Sequence, residues 1–110
     1  MSREYKFSGI TEDAREVRGN LAMIGSEFSV LVDGARNPHK VYSWTVAQWT
    51  GFTDKNGEEI YEDNDVEYRH QPCKIKYNEF AGKCYIYAGD EVVQPLNAKT
   101  AADCEVKKYF

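Results

Sequence analysis

The side chains best suited to chemistry are Lys74, Lys76, Lys83, Tyr85 and Tyr87, carried by two short runs in the second half of the chain. In Cys73-Lys74-Ile75-Lys76-Tyr77-Asn78 and in Lys83-Cys84-Tyr85-Ile86-Tyr87, residue character alternates with a period of two. In strands, that alternation sets Cys73, Ile75, Tyr77, Cys84 and Ile86 on the apolar side and the lysines, Tyr85 and Tyr87 on the other. Aromatic rings interleaved with cations are what single-stranded nucleic acid stacks on. Tyrosine is equally enriched where protein surfaces meet. The formal charge of −4 favours the second use, because gripping a phosphate backbone normally takes a basic face.

Other chemistry is poorly supplied. The acidic run Glu58, Glu59, Glu62, Asp63, Asp65 and Glu67 has the donor atoms for a cation or for a carboxylate pair. A calcium loop needs glycine at its sixth position. Counted from Asp54, Gly57 falls fourth and Glu59 sixth, so a solvated hairpin face is the expected reading. Cys73, Cys84 and Cys104 are odd in number and lack a Cys-x-x-Cys pair, which argues against a disulfide framework and a zinc knuckle. On the apolar sides of strands, Cys73 and Cys84 are expected to be buried and inert. His39 and His70 lie at no metal-site spacing, and His70, just before Gln71-Pro72, reads as a strand-end residue rather than a general base. There is no Ser–His–Asp order, glycine-rich phosphate loop or His-Glu-x-x-His helix. The expectation is a non-enzyme with no metal and no cofactor; a hydrolase using Glu62 and Asp65 is the residual alternative.

These side chains need strands to hold them, and the chain supplies strand signals throughout. Residues 4–8 alternate polar and aromatic, with Tyr5 and Phe7 inward, and Thr11-Glu12-Asp13-Ala14 reads as a turn. Val17, Leu21 and Met23 share one face of the next strand, and Gly19 inside it predicts a bulge or bend. After Gly25-Ser26, Phe28, Val30 and Val32 alternate with Ser29, Leu31 and Asp33, giving a hairpin with the preceding strand. Residues 33–40 form a loop and residues 41–48 resume a β-rich run. The strongest local signal follows: a Trp49-Thr50-Gly51 corner and then Asp54-Lys55-Asn56-Gly57, whose Asn-Gly suits a type I′ hairpin turn. Trp49 is expected to plug a barrel. An acidic turn at residues 62–65 leads to a strand from Val66, then come the two strands of the Lys/Tyr face, joined at Ala81-Gly82. Asn97 can cap one short helical turn, and residues 105–110 make a last strand. Short strands at regular spacing predict an antiparallel barrel or sandwich.

The chain has 110 residues, the size of one domain. An apolar fraction of 42% is enough for a core without staples. Free thiols suit a reducing compartment, no apolar run approaches the length of a membrane span, and the N-terminus has no secretory h-region. A cytoplasmic location is expected.

The stretch from Thr45 to Val66, TVAQWTGFTDKNGEEIYEDNDV, resembles the longest conserved block of the YopX-like family of small phage and prophage proteins. Arg3-Glu4-Tyr5-Lys6-Phe7, Gly19-Asn20-Leu21 and Cys104-Glu105-Val106 resemble its other marks, so the likeness spans most of the chain. The resemblance implies a small SH3-like β-barrel, within one domain over 1–110, and a bacterial host cell. It implies no assigned biochemical activity. Three departures stand out. Glu62-Asp63-Asn64-Asp65 replaces a family Glu-Gly-Asp-Ile, which removes a turn glycine and an apolar strand residue. Ala47 stands where glycine is usual, and Lys107-Lys108-Tyr109-Phe110 replaces a longer tail, so barrel closure is expected to differ. The expected protein is mainly β, an SH3-like antiparallel barrel elaborated by N-terminal hairpin strands with at most one short helix. It is expected to be a phage accessory protein that binds a protein partner or self-assembles. A nucleic-acid-binding barrel using the Lys/Tyr face is the alternative.

Overall fold

The computed structural model describes residues 6–107. The chain divides into two compact units, Met1–Trp49 and Thr50–Phe110. The first holds β1 (Phe7–Ile10), β2 (Glu16–Met23), β3 (Phe28–Val32), β4 (Pro38–Tyr42), a 3-10 turn (Ser43–Thr45) and the start of β5 (Ala47–Thr53). The strands run antiparallel in the order β4-β3-β2-β1-β5. Glu4 and Tyr5 of the expected first strand lie outside the described residues.

Buried Val17, Leu31 and Val41 form the core of this unit, with Phe7, Leu21 and Val46 against them. In β3, Leu31 and Ser29 point inward, and Phe28, Val30 and Val32 stay half-buried on the other side. Alternation alone could not separate two apolar faces; Leu31 wins because it pairs with Leu21 across the β2–β3 ladder and packs with Val17 and Val41. The buried Ser29 hydroxyl is satisfied by Ser43 Oγ at 2.8 Å. The bulge in β2 falls between Leu21 and Met23 rather than at Gly19. Gly19 has a different reason: a Cβ there would sit 2.1 Å from the Val32 carbonyl oxygen.

The turn at residues 11–14 is present, with the Ala14 amide donating to Thr11 O at 3.0 Å. The loop after β3 is shorter than expected, because Pro38–Lys40 already belong to β4. Proline is tolerated on this edge strand, where its missing N–H interrupts no inner ladder. Asp33 shapes the loop: its Oδ1 accepts the Ala35 and Asn37 amides at 2.9 Å each, and Oδ2 meets His39 Nε2 at 2.8 Å. The Asn37 amide first, then His39, holds the Asp33 carboxyl below its usual pKa. The expected continuous run 41–48 is broken by the 3-10 turn, which Thr45 stabilises by donating Oγ1–H to Tyr42 O at 2.6 Å.

The second unit continues β5 and adds β6 (Glu59–Tyr61), β7 (Asp65–Tyr68), β8 (Gln71–Asn78), β9 (Lys83–Ala88), β10 (Glu91–Pro95), α1 (Ala98–Ala101) and β11 (Cys104–Val106). Its five-stranded antiparallel sheet has the order β10-β9-β8-β7-β11. Ile60, Val66, Tyr68, Cys73, Ile75, Ile86, Leu96, Ala101 and Cys104 make its core. Asn97 caps α1 as expected, its side-chain oxygen accepting the Lys99 and Thr100 amides at 3.0 and 2.9 Å.

The mainly β expectation holds, but the sheets are not closed into a barrel. In the first unit, one isolated bridge, Thr11 to Val41, joins the end of β1 to β4. In the second, β10 carries a register shift and ends in Pro95, which has no N–H, and β11 spans three residues. No helix among the described residues is long and apolar enough to cross a membrane.

Candidate functional site

The five residues of the Lys/Tyr face come together. Strands β8 and β9 pair Lys74 with Tyr87, Lys76 with Tyr85 and Asn78 with Lys83, all on the side away from Ile75 and Ile86. Tyr85 and Tyr87 meet edge to face with centroids 6.5 Å apart. Lys76 Nζ sits 5.4 Å over the Tyr87 ring and Lys83 Nζ 5.5 Å over Tyr85. Asn78 Nδ2 donates to the Tyr87 hydroxyl at 3.3 Å. Cation and ring partner each other within the face, which holds the rings in place without a ligand.

Four further residues share this face. The β7 pairing sets Asp65 opposite Lys74, whose Nζ lies 3.7 Å from Asp65 Oδ1. Glu67 and Glu105 stand opposite each other across β7 and β11, and Lys107 bridges them, 3.5 Å from Glu67 and 3.1 Å from Glu105. The Lys107 ammonium holds the Glu105 carboxyl below its usual pKa, and Glu105 in turn raises Lys107. The signal for Asp65 and Glu67 was in the sequence: Asp-Val-Glu-Tyr alternates, so a buried Val66 and Tyr68 force both acids outward. A concavity of about 850 Å³ opens among Lys74, Lys76, Tyr87, His70, Lys107 and the acids of β7. Its charges are interleaved rather than of one sign.

The turn motif is structural. The Asn56-Gly57 pair does not form a type I′ turn, since that form needs positive φ at both residues and Gly57 alone has it, at +79°. The Gly57 amide donates to Asp54 O at 3.1 Å and the Asp54 amide to Glu58 O at 2.8 Å, closing a three-residue loop with a glycine bulge. Asp54 is 6% exposed, and its carboxylate organises the turn. Oδ1 accepts the Asn56 and Glu58 amides at 2.8 Å each, and Oδ2 accepts the Val106 amide at 2.9 Å. Sequence spacing could not reveal that last bond, which joins residues 52 apart. Thr50 Oγ1–H donates to Ile60 O at 2.7 Å, and Gly51 takes φ +92°. Trp49 is not a buried plug: it is half-buried, with Lys6 Nζ 5.3 Å over its ring.

The acidic turn keeps its shape without glycine. Asp63 takes φ +66°, the Asn64 amide donates to Tyr61 O at 3.1 Å, and Asn64 Oδ1 accepts the Tyr61 amide at 2.8 Å. Among the described residues, no three His, Cys, Asp or Glu side chains gather where they could hold a metal ion. Cys73 and Cys104 are buried and Cys84 half-buried, all as free thiols. Burial first, then the neighbouring Cys73 and carboxylates, pushes the Cys104 thiol up to about 12; burial alone raises Cys73. Neither is an activated nucleophile. His70 is exposed at the β7–β8 turn with φ +64°, beside Arg69 at +51°. Tyr77, expected on the apolar side, is exposed beyond the end of the core.

Fold and site together define a small, two-sheet, antiparallel β protein that carries a mixed Lys/Tyr/carboxylate face on β7, β8, β9 and β11. A family described as YopX protein matches residues 6–109, and the chain belongs to that family. No curated protein matches the chain.

Proposed function

We propose that this YopX-family chain is a non-enzymatic phage or prophage accessory protein, acting in the host cytoplasm by binding a protein partner, another chain or another copy of itself, through the outer face of β8 and β9. The observation that carries the reading is charge pairing on that face. Lys74, Lys76, Lys83 and Lys107 share it with Asp65, Glu67 and Glu105, and Lys76 and Lys83 lie over Tyr87 and Tyr85. Interleaved charge with rigid tyrosines suits protein recognition, where complementary charge sets specificity and tyrosine supplies contact area. A phosphate backbone instead rewards an uninterrupted row of cations.

The test is capture from phage-infected cell lysate with the wild type and with a Lys76→Glu/Tyr87→Ala variant. Both side chains point outward, so the variant should keep its fold. A protein retained by the wild type and lost with the variant is the expected result. Equal capture by both, or a monodisperse monomer that recovers nothing, would refute the reading. The nucleic-acid reading draws on Tyr85 and Tyr87 as stacking surfaces. It requires salt-dependent binding of labelled single-stranded DNA by roughly tens of micromolar protein at low salt.

A further inference from the structure

We infer that Asn56, at the tip of the Asp54 turn, is a site of spontaneous covalent modification. Its side-chain amide is lost through attack by the Gly57 backbone nitrogen, and the isoaspartate that forms loosens the hold of Asp54 on β11. Asparagine is among the thermally labile side chains. Its fate depends on whether the amide carbon is free and whether the next backbone nitrogen can reach it.

Of the six asparagines, all among the described residues, Asn56 alone meets both conditions. Asn37 precedes Pro38, whose nitrogen has no proton to give up. Asn64, Asn78 and Asn97 are committed through Oδ1, which accepts the Tyr61 amide at 2.8 Å, the Ala81 amide at 3.0 Å, and the Lys99 and Thr100 amides at 3.0 and 2.9 Å, respectively. Asn20 lies in the β2 ladder opposite Val32, where extended backbone and the branched Leu21 side chain keep the following nitrogen away.

Asn56 is exposed, and its side chain makes no hydrogen bond among the described residues; only its backbone amide is used, donating to Asp54 Oδ1 at 2.8 Å. Gly57 has no Cβ, and one built there would meet nothing within 4 Å, so the approach to its nitrogen is open. The Gly57 N–H donates to Asp54 O at 3.1 Å, so attack waits for the tip to open, a low-energy event in an exposed turn.

The reaction balances with water as its co-reactant. The Gly57 nitrogen bonds to Asn56 Cγ, the Cγ–Nδ2 bond breaks, and ammonia leaves with the proton that Gly57 gave up. Water then opens the cyclic imide at either carbonyl carbon. Opening at Cγ leaves aspartate; opening at the former Asn56 backbone carbonyl leaves isoaspartate, whose chain runs through Cβ and Cγ. Nothing is oxidised or reduced. Isoaspartate adds a methylene to the backbone of a loop closed by the Asp54 amide on Glu58 O at 2.8 Å. Asp54 Oδ2 also accepts the Val106 amide at 2.9 Å, so the distortion reaches β11, which is three residues long.

The whole chain, incubated for weeks at neutral pH and physiological temperature, tests this. Proteolysis after Lys55 and Arg69 releases residues 56–69, which hold Asn56 and Asn64 in one peptide. Fragment masses and synthetic standards give the aspartyl and isoaspartyl content at each position, above a sample digested at the outset. Acid at Asn56 should exceed acid at Asn64 at least about tenfold, the rate difference expected from a committed hydrogen bond together with a hindered neighbouring nitrogen. Asn56→Gln keeps the backbone bonds of the turn but lengthens the reacting side chain, and should gain no acid over the same period. The isoaspartyl form should unfold at lower urea than freshly prepared Asn56→Asp, which carries the added charge without the added methylene. An unmodified Asn56, equal acid at Asn64 or in the Asn56→Gln chain, or an isoaspartyl form as stable as Asn56→Asp would overturn the proposal.

Discussion

Two buried polar side chains show opposite solutions to the same problem. Asp54 takes three backbone amides and so converts a buried carboxylate into a local organiser. Tyr68 is 1% exposed, and its hydroxyl has no hydrogen-bond partner among the described residues. A buried hydroxyl without a partner costs roughly 1–3 kcal/mol of desolvation. Tyr68→Phe removes that cost and keeps the ring that packs with Val66 and Ile75. It should raise stability by about 1 kcal/mol, read as a higher urea midpoint at unchanged slope. A lower midpoint would mean that the hydroxyl has a stabilising partner. The legibility of these two residues differs for a physical reason: the Asp54 turn bonds are local, whereas nothing local says which tyrosine will be sealed inside.

At the scale of elements, the turns absorb the departures from the family pattern. Asp63, at a position where the YopX-like resemblance implies glycine, holds φ +66°, a conformation that costs an ordinary L-residue roughly 1–2 kcal/mol, less for aspartate. Its amide still donates to Ile75 O at 2.7 Å, a bond glycine would keep. Asp63→Gly is therefore expected to be neutral to stabilising by up to about 1 kcal/mol, where glycine in an α or β position would lose that much. Chemical denaturation beside the wild type checks this; a loss beyond about 1 kcal/mol would show that the Asp63 side chain supports the turn. Most strands, the short helix and the positions of most turns were legible in the residues, but β10, Glu91–Pro95, was not anticipated. Strand limits were less so: Pro38 to Lys40 look like loop, yet they sit opposite Val32 to Val30 in an edge ladder.

At the scale of the whole molecule, the two units have unequal cores. Among the described residues, nine buried residues make the core of the second, against three in the first. Local opening follows buried apolar contact, so native-state hydrogen exchange should find the slowest amides in β8 and β9, around Ile75 and Ile86. Amides of β2 and β3 should exchange at lower protection, and equal or greater protection there would contradict the inequality.

Period-two alternation, turn residues and one capping asparagine were enough to determine a mainly β chain and the outward set Lys74, Lys76, Lys83, Tyr85 and Tyr87, because each is a local preference of backbone or side chain. The long central block was enough to place the chain in its family. Tertiary structure alone decided which of two apolar faces of β3 became core, that Asp65, Glu67, Glu105 and Lys107 join the Lys/Tyr face, that Asp54 reaches Val106, and that the sheets stay open. These outcomes depend on pairings between distant residues and on the packing of one side chain against another, which spacing along a single chain does not encode.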